Sequence, residues 1–254
     1  MNRARLLGVV QSVAVAGVLV FFWQVVADYR LVSPVYVPGP DRIFDALREG
    51  FGGGDLGSTL LATIGHLAAG WLLASIIGIA IGAVIGSSPS VRPYINPILE
   101  FFRPLPASSM FPFAMALFGL SNQMVLSVIA FGALWPTLLA TIHGFASVEA
   151  RLLEVSRILG MSRFSVMMKV QIPNALPDIL SGMRISMTVA LVLSVVGEIM
   201  ASVNGLGLWV LLAARSFHAA DLFAGVVLLG GIGYLGAQVL TVVEDWALRW
   251  QHPR

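Results

Sequence analysis

The chain alternates between long uncharged apolar stretches and short polar segments. Four windows contain no Asp, Glu, Lys or Arg: residues 6–27, 56–91, 104–148 and 222–243. A helix that crosses a bilayer needs about 20 apolar residues. The first, second and fourth windows therefore predict one span each, and the third predicts two. The apolar region 176–202 predicts one more. The pattern therefore predicts an all-α, polytopic membrane helix bundle with about six transmembrane helices.

The predicted spans make the chain a single transmembrane domain over residues 1–254. In chain order they cover about 6–27, 58–86, 93–120, 123–146, 176–202 and 221–248, and a long polar loop covers 147–175. A cleaved signal peptide is the alternative for the first run. A signal core has about 7–15 apolar residues, so an uncleaved first span is favoured.

Glycines and prolines within the spans predict two special features. Gly78, Gly82 and Gly86 follow each other at intervals of four, which favours close approach of another helix, with lipid-facing glycines as the alternative. The third span is interrupted by Pro104, Pro106 and Pro112. Broken helices persist in membranes where protein or a water-filled cavity satisfies the freed backbone groups. The third span is therefore expected to be interrupted beside a cavity.

The polar segment 28–57 predicts a short helix at the outer membrane surface. Its start is indicated by Pro38-Gly39-Pro40-Asp41 and its end by Gly52-Gly53-Gly54. The helical spacing of its apolar residues predicts one membrane-facing side, formed by Ile43, Phe44, Leu47 and Phe51.

Composition excludes several classes of function. Residues are 57% hydrophobic and 11% charged, whereas soluble domains carry about 25% charged residues, so neither a soluble enzyme nor a disordered chain is expected. The absence of Cys excludes disulfides and thiol chemistry, and the four His are too scattered to predict a metal site. The net charge of +2 comes without a basic stripe, so no nucleic-acid partner is expected.

The distribution of basic residues predicts the orientation. With the N-terminus inside, eleven basic residues fall on the inner side and four on the outer side, in agreement with the positive-inside rule. The inner set is Arg3, Arg5, Arg92, Arg103, Arg151, Arg157, Arg163, Lys169, Arg184, Arg249 and Arg254, and the outer set is Arg30, Arg42, Arg48 and Arg215. Both termini and the loop 147–175 are therefore predicted to be cytoplasmic.

That loop is too long and too regular for a simple connector. Apolar and charged residues interleave from Glu149 to Met168, which predicts two short amphipathic helices joined near Gly160, where a glycine permits a sharp turn. Docking into a groove of a partner protein is one interpretation. A helix lying on the inner leaflet is the other.

The same loop carries a recognisable motif. Glu154-Val155-Ser156, Gly160 and Val170-Gln171-Ile172-Pro173 resemble the pattern E-A-A-x3-G-x9-I-x-L-P of permease subunits of bacterial ABC importers, with Val155 and Ser156 in place of the two Ala. Further segments resemble the sulfonate, taurine, nitrate and bicarbonate branch of that family. They are Val37-Pro38-Gly39-Pro40, Phe102-Arg103-Pro104-Leu105-Pro106, Ala175-Leu176-Pro177, and Glu198 followed by Gly205-Leu206-Gly207. The branch usually has another Pro and an aromatic residue where this chain has Ala107-Ser108-Ser109.

The resemblance implies the type I importer permease (MetI-like) fold in the inner membrane, and defined partners. These are a second permease copy, two cytoplasmic ATPase subunits that bind ATP and Mg, and a periplasmic or lipid-anchored solute-binding protein. It also implies alternating access driven through a coupling helix, here formed by Glu154, Ser156, Arg157, Gly160, Met161, Ser162 and Arg163. The substrate is expected to be a small anion, either one of the four branch substrates or an aromatic carboxylate. This chain is not expected to hydrolyse ATP or to bind a cofactor, because a phosphate-binding loop needs G-x-x-x-x-G-K-[ST] and the single lysine, Lys169, lies in Met-Met-Lys-Val.

Glu198 is the clearest polar anomaly inside a predicted span. Acidic residues within a membrane are functional candidates, so Glu198 is expected either in the translocation pathway or gate, or as a structural partner at a subunit interface. Arg103, Met110, Phe111 and Ser194 are the other pathway candidates, although Met and aromatic residues also fit plain packing. The rival from another class is an ion-gradient-driven secondary transporter, which would show inverted repeats, and a scaffold without transport is the third option.

Overall fold

The computed structural model describes the backbone of residues 3–251 and the side chains of residue 11 and residues 14–250. Within these residues the fold is all-helical, without a strand. The α-helices are α1 (Arg3–Asp28), α2 (Pro40–Gly52), α3 (Leu56–Ser87), α4 (Arg92–Phe102), α5 (Phe111–Phe118), α6 (Asn122–Ala146), α7 (Ala150–Ile158), α8 (Arg163–Val166), α9 (Ile172–Ala201), α10 (Leu206–Arg215) and α11 (Ala219–Ala247). Two 3-10 turns, Ala107–Met110 and Arg249–Gln251, and a π turn, Met167–Gln171, complete the described part.

Four helical stretches of the described chain are long and apolar enough to cross a membrane: Leu56–Ser87, Asn122–Ala146, Arg163–Ala201 and Ala219–Ala247. The first predicted span, 6–27, lies within α1, which has 26 residues. The all-α, polytopic membrane fold predicted from the sequence is therefore confirmed.

The third predicted span, 93–120, is not one continuous helix. It consists of α4, the 3-10 turn and α5, each shorter than the roughly 20 residues that a span needs. The breaks fall around Pro104 and Pro106, which lack a backbone donor and restrict the residue before them. Whether this broken segment crosses the membrane stays a prediction.

The core is built from α3, α6 and α9, with α6 packed against the other two. The glycine series of α3 faces α6: a Cβ on Gly82 would lie 2.9 Å from the Leu138 carbonyl oxygen, and one on Gly86 would lie 2.9 Å from that of Ile142. Backbone therefore packs on backbone here, and the predicted close approach is confirmed.

Helix α2 begins and ends where the sequence predicted, but of its four predicted membrane-facing residues Ile43 and Leu47 pack inside the fold, and a membrane-facing role stays a prediction for Phe44 and Phe51. Ile43 and Ala46 are buried against Ala224 of α11, whereas Phe44 and Phe51 are 67% and 50% exposed. The helical spacing is correct, but the buried side is centred on Ile43 because α11 supplies the partner.

Two further features were not part of the sequence prediction. The segment 203–220, between the fifth and sixth predicted spans, contains the ten-residue helix α10. Arg184, which the predicted orientation places on the inner side, pairs with Glu244 and Thr241 of α11. The pair joins α9 to α11, a helix that is otherwise little buried.

Candidate functional sites

The segment from Ala150 to Gln171 contains a tight helical turn. Helix α7 ends at Ile158, and the turn after it contains Gly160, whose φ of +64° lies in the left-handed region that favours glycine. The Met161 amide donates to the Ser156 carbonyl and the Gly160 amide donates to that of Arg157, which is the Schellman pattern of a helix C-terminus. The two predicted helices joined near Gly160 are thus confirmed, although α8 is short and continues into α9.

The start of α8 is capped by a side chain. The Ser162 hydroxyl oxygen accepts a hydrogen bond from the Ser165 amide at 3.2 Å, as an N-cap serine does. Beyond α8, the π turn ends at Gln171, two residues before Pro173, whose ring would crowd a regular α-helical turn. Through this turn α8 and α9 form one continuous helical stretch, Arg163–Ala201.

The loop between α6 and α7 is fastened to the first turn of α9. The Asn174 side-chain amide donates to the Gly144 carbonyl at 3.2 Å and to the Ser147 hydroxyl at 3.1 Å. A Cβ on Gly144 would lie 2.8 Å from the Ala175 Cα, so the two helices touch here. The entry and the exit of the segment are therefore held to the same point of the core.

Apolar side chains project outward from this segment. Ile158 is 84% exposed and Leu159 is 70% exposed at the end of α7, and Phe164 is 66% exposed on α8. Glu154 is also exposed, and no ion pair joins it to Arg151 or Arg157 within the described residues. The local pairing that would explain Glu154 as an ordinary surface residue is therefore not formed.

The other motif residues have different surroundings. Ser156 is buried, and its hydroxyl donates to the Leu152 carbonyl at 2.7 Å. Arg157, Met161 and Arg163 line a cleft of about 850 Å³ between this segment and the loop after α3. The cleft is lined in full by Ser87, Ser88, Pro89, Ser90, Leu153, Arg157, Met161, Arg163, Phe164, Val166, Met167 and Gln171.

The second site surrounds the fully buried carboxylate of Glu198 on α9. Its Oε2 accepts hydrogen bonds from the Thr63 hydroxyl at 3.1 Å and from the Gly207 amide at 2.9 Å. Its Oε1 lies 3.0 Å from His66 Nδ1. The Leu206 amide donates to the Thr63 hydroxyl oxygen at 2.7 Å, so α3, α9 and α10 meet at one carboxylate.

Two glycines leave room for this arrangement. A Cβ on Gly205 would lie 2.1 Å from the Glu198 Cδ, and one on Gly207 would lie 2.3 Å from the Val195 carbonyl oxygen. The Glu198 carboxylate also stands at the N-terminus of α10, where backbone amides and the helix dipole favour negative charge. The Gly205-Leu206-Gly207 sequence thus serves to bring the start of α10 against α9.

None of the remaining pathway candidates forms a hydrogen bond with the Glu198 carboxylate, whose partners are Thr63, His66 and Gly207. Phe111 is 4% exposed and lies in the core, with Met110 packed against the same cluster. Ser194 is buried and donates to the Leu191 carbonyl at 2.8 Å, while Arg103 is exposed. Their role in a pathway stays a prediction.

Sequence reasoning missed the partners of Glu198 on α3. His66 counted there as one of four scattered histidines, and Thr63 was not singled out. A usable signal existed: Thr59, Thr63 and His66 are spaced by four and three residues, which places them on one face of an otherwise apolar helix.

An all-helical, polytopic membrane fold with a structured segment of exposed apolar side chains between α6 and α9 is typical of a class of proteins, the multi-pass permeases. The chain belongs to the family of binding-protein-dependent transport system inner membrane components, whose characteristic pattern matches residues 74–254. It is therefore a permease subunit of an ABC importer, located in the inner membrane.

Individual relatives agree with this assignment. A Bacillus subtilis (strain 168) protein provisionally named an aliphatic sulfonates transport permease is 31% identical over 246 residues, or 96% of this chain and 89% of the relative. The taurine transport system permease protein TauC of Escherichia coli (strain K12) is 31% identical over 230 residues, or 88% of this chain and 83% of the relative. The resemblance to the branch that includes sulfonate and taurine permeases is thus confirmed.

A solved structure supports the fold. A chain of the MetNI methionine ABC transporter, in an inward-facing conformation, superposes with a TM-score of 0.65 at 20% identity. The match covers 78% of this chain and 96% of that chain. The MetI-like fold expected from the resemblance is therefore confirmed.

Proposed function

We propose that this permease forms the pathway by which a small anion crosses the inner membrane inward by alternating access. Sulfonates, taurine, nitrate, bicarbonate and aromatic carboxylates are the candidate substrates. The relatives named for aliphatic sulfonates and for taurine support a sulfonate as the substrate. Energy comes from a separate ATPase, since the chain contains no phosphate-binding loop sequence.

The proposed assembly contains two copies of this chain, two ATPase subunits that bind ATP and Mg, and an external solute-binding protein. The observation that carries the coupling proposal is the exposed apolar surface of α7 and α8 around Ile158, Leu159 and Phe164. Large exposed apolar side chains on a short helical segment are typical of helix-in-groove recognition. The ATPase is the occupant expected from the family.

Within this segment some motif residues are available for contact with the ATPase, and others determine the conformation of the segment. Glu154 is free of local ion pairs and exposed, so it is available to a group on the ATPase. Gly160 shapes the turn through its left-handed backbone, and Ser162 caps the helix that follows. Arg157, Met161 and Arg163 line the adjacent cleft, and Ser156 holds α7 from its buried side.

The test is transport by the complete importer in proteoliposomes, with uptake and ATP hydrolysis measured on the same preparation. The double variant Glu154→Ala, Gly160→Ala is expected to insert normally, to lose uptake, and to leave ATP hydrolysis unresponsive to the loaded binding protein. The physical reason is that one change removes the exposed charge and the other strains the turn that presents α7.

The matched control is the double variant Glu149→Ala, Gly65→Ala. It removes the same charge next to α7 and adds a methyl at a glycine with no neighbour within 4 Å, and it is expected to transport normally. Normal uptake by the Glu154/Gly160 variant would contradict the coupling proposal. Gradient-driven uptake by the chain without an ATPase would contradict the proposed function as a whole.

A further inference from the structure

The Glu198 carboxylate has its partners within the fold. Two donors reach Oε2, His66 faces Oε1, and the side chain has no exposed surface. An ionised carboxylate only accepts hydrogen bonds, and charge-assisted bonds of this kind are the strong ones. A substrate in a pathway would therefore have to displace protein groups to reach this carboxylate.

We infer that Glu198 is a positioning residue that joins α3, α9 and α10 into one unit, and that this unit stays joined throughout transport. The inference rests on the proposed function only for its second half. Pulling α10 away from α3 and α9 would separate the Gly207 amide from the Glu198 carboxylate and the Leu206 amide from the Thr63 hydroxyl, and would leave both amides without partners. Unpaired buried polar groups are costly, and a membrane offers no water to replace them.

We call the connection of α3, α9 and α10 at Glu198 the joint. Further contacts extend this joint along α3. The Thr59 hydroxyl lies 3.3 Å from the Asn204 side-chain oxygen, one helical turn from Thr63. Together with the Leu206 amide on the Thr63 hydroxyl, this makes a continuous row of contacts between α3 and the chain that enters α10. These contacts, together with the buried Glu198 carboxylate and the space left by Gly205, indicate that the start of α10 is held in one fixed position against α3 and α9.

The first experiment tests whether the joint stays closed, and it uses the absence of cysteine from the chain. The variant Thr59→Cys, Asn204→Cys places two thiols on α3 and on the entry to α10. In the assembled importer, oxidation is expected to crosslink the pair and to leave the uptake rate equal to that of the reduced sample. The single variants, oxidised in parallel, are the controls.

Loss of uptake on oxidation, restored by a reductant, would show that the joint opens during transport and would overturn the second half of the inference. Failure of the two thiols to crosslink, directly or through a short bifunctional reagent, would contradict the geometry itself. Neither result depends on the identity of the substrate beyond a measurable uptake.

The second experiment tests the role of the carboxylate without transport, through thermal unfolding of the purified chain. Glu198→Ala is expected to lower the unfolding midpoint. Glu198→Gln is expected to restore most of the loss, because its side-chain oxygen faces Thr63 and Gly207 while its amide donates to His66 Nδ1. A pathway acid that works through its charge would not be rescued by glutamine in an uptake assay.

The matched geometric test is a double-mutant cycle with Gly205→Ala. Alone, this change forces a methyl into the Glu198 carboxyl and is expected to lower the midpoint. Combined with Glu198→Ala it is expected to add little, since the overlap is gone. Additive losses, or a Glu198→Gln variant that is stable but inactive in uptake, would overturn the positioning role while leaving the importer assignment intact.

Discussion

Individual glycines in this permease are required for two distinct physical reasons. Gly160 is required by its backbone, whose φ of +64° is unfavourable for residues with a Cβ. Gly207 is required by space, because a Cβ there would lie 2.3 Å from the Val195 carbonyl oxygen. A side chain at Gly160 would be accommodated with backbone strain. A side chain at Gly207 would instead force the backbone of α9 and the start of α10 apart.

Gly207→Ala is therefore expected to lower the thermal stability of the purified chain, by roughly the 1–3 kcal/mol that overpacking costs. The measurement is the unfolding midpoint in detergent. Gly230→Ala is the matched control on α11, since a Cβ there has no neighbour within 4 Å. Equal midpoints for the two variants would contradict the close contact between Gly207 and Val195.

At the residue scale the sequence indicated the buried acid but not its surroundings. Glu198 stood out because a charge inside an apolar stretch is rare. Its partners lie 132 and 135 positions earlier in the chain, at His66 and Thr63. Such long-range pairing depends on how the helices fold together, which a single sequence does not state, although the polar stripe on α3 was a usable hint.

Among the elements, the contact between α3 and α6 depends on small residues at regular intervals. Gly78, Gly82 and Gly86 each face the backbone of α6, so van der Waals contact between main chains replaces side-chain interdigitation. The same stripe was visible in the sequence because it has the period of a helix face. The sequence did not indicate that α6 is the helix that packs against this stripe.

Gly82→Val tests this contact. A Cβ at Gly82 would lie 2.6 Å from the Thr141 Cβ, so the larger side chain is expected to separate α3 from α6 and to lower the unfolding midpoint. Gly65→Val, on the same helix but with open space around it, carries the same change in helix propensity. If the two variants have equal unfolding midpoints, the row of glycines on α3 is not a packing contact.

Periodic, uncharged stretches gave reliable helix predictions, and irregular stretches did not. The helices α3, α6 and α11 coincide with long apolar runs of the sequence, and the turn at Gly160 follows from the backbone freedom of glycine. The segment 93–120 broke where prolines accumulate, which the sequence indicated. Helix α10 was missed because ten apolar residues are too few to suggest a span and carry no cap signal.

For the whole molecule, the predicted orientation puts both termini and the segment 150–171 in the cytoplasm. The chain lacks cysteine, so a single introduced thiol reports its own side of the membrane. Ser90, after α3, and Ser216, after α10, are both exposed and fall on opposite sides in the predicted topology.

Ser216→Cys is expected to react with a membrane-impermeant thiol reagent in intact spheroplasts, because it is predicted to face outward. Ser90→Cys is expected to react only after the membrane is opened. Labelling of the chain without introduced cysteine provides the blank, and the chain is expressed without partner subunits so that neither site is covered. The reverse labelling pattern would invert the topology and remove the coupling segment from the cytoplasm.

The unbroken run of helix from Arg163 to Ala201 has a mechanical consequence. At 1.5 Å per residue its 39 residues extend about 58 Å, from the surface proposed for the ATPase to the carboxylate that holds the start of α10. In the proposed coupling mechanism, a tilt that the ATPase imposes at the Arg163 end of this helical stretch would reach the start of α10 without a flexible loop in between.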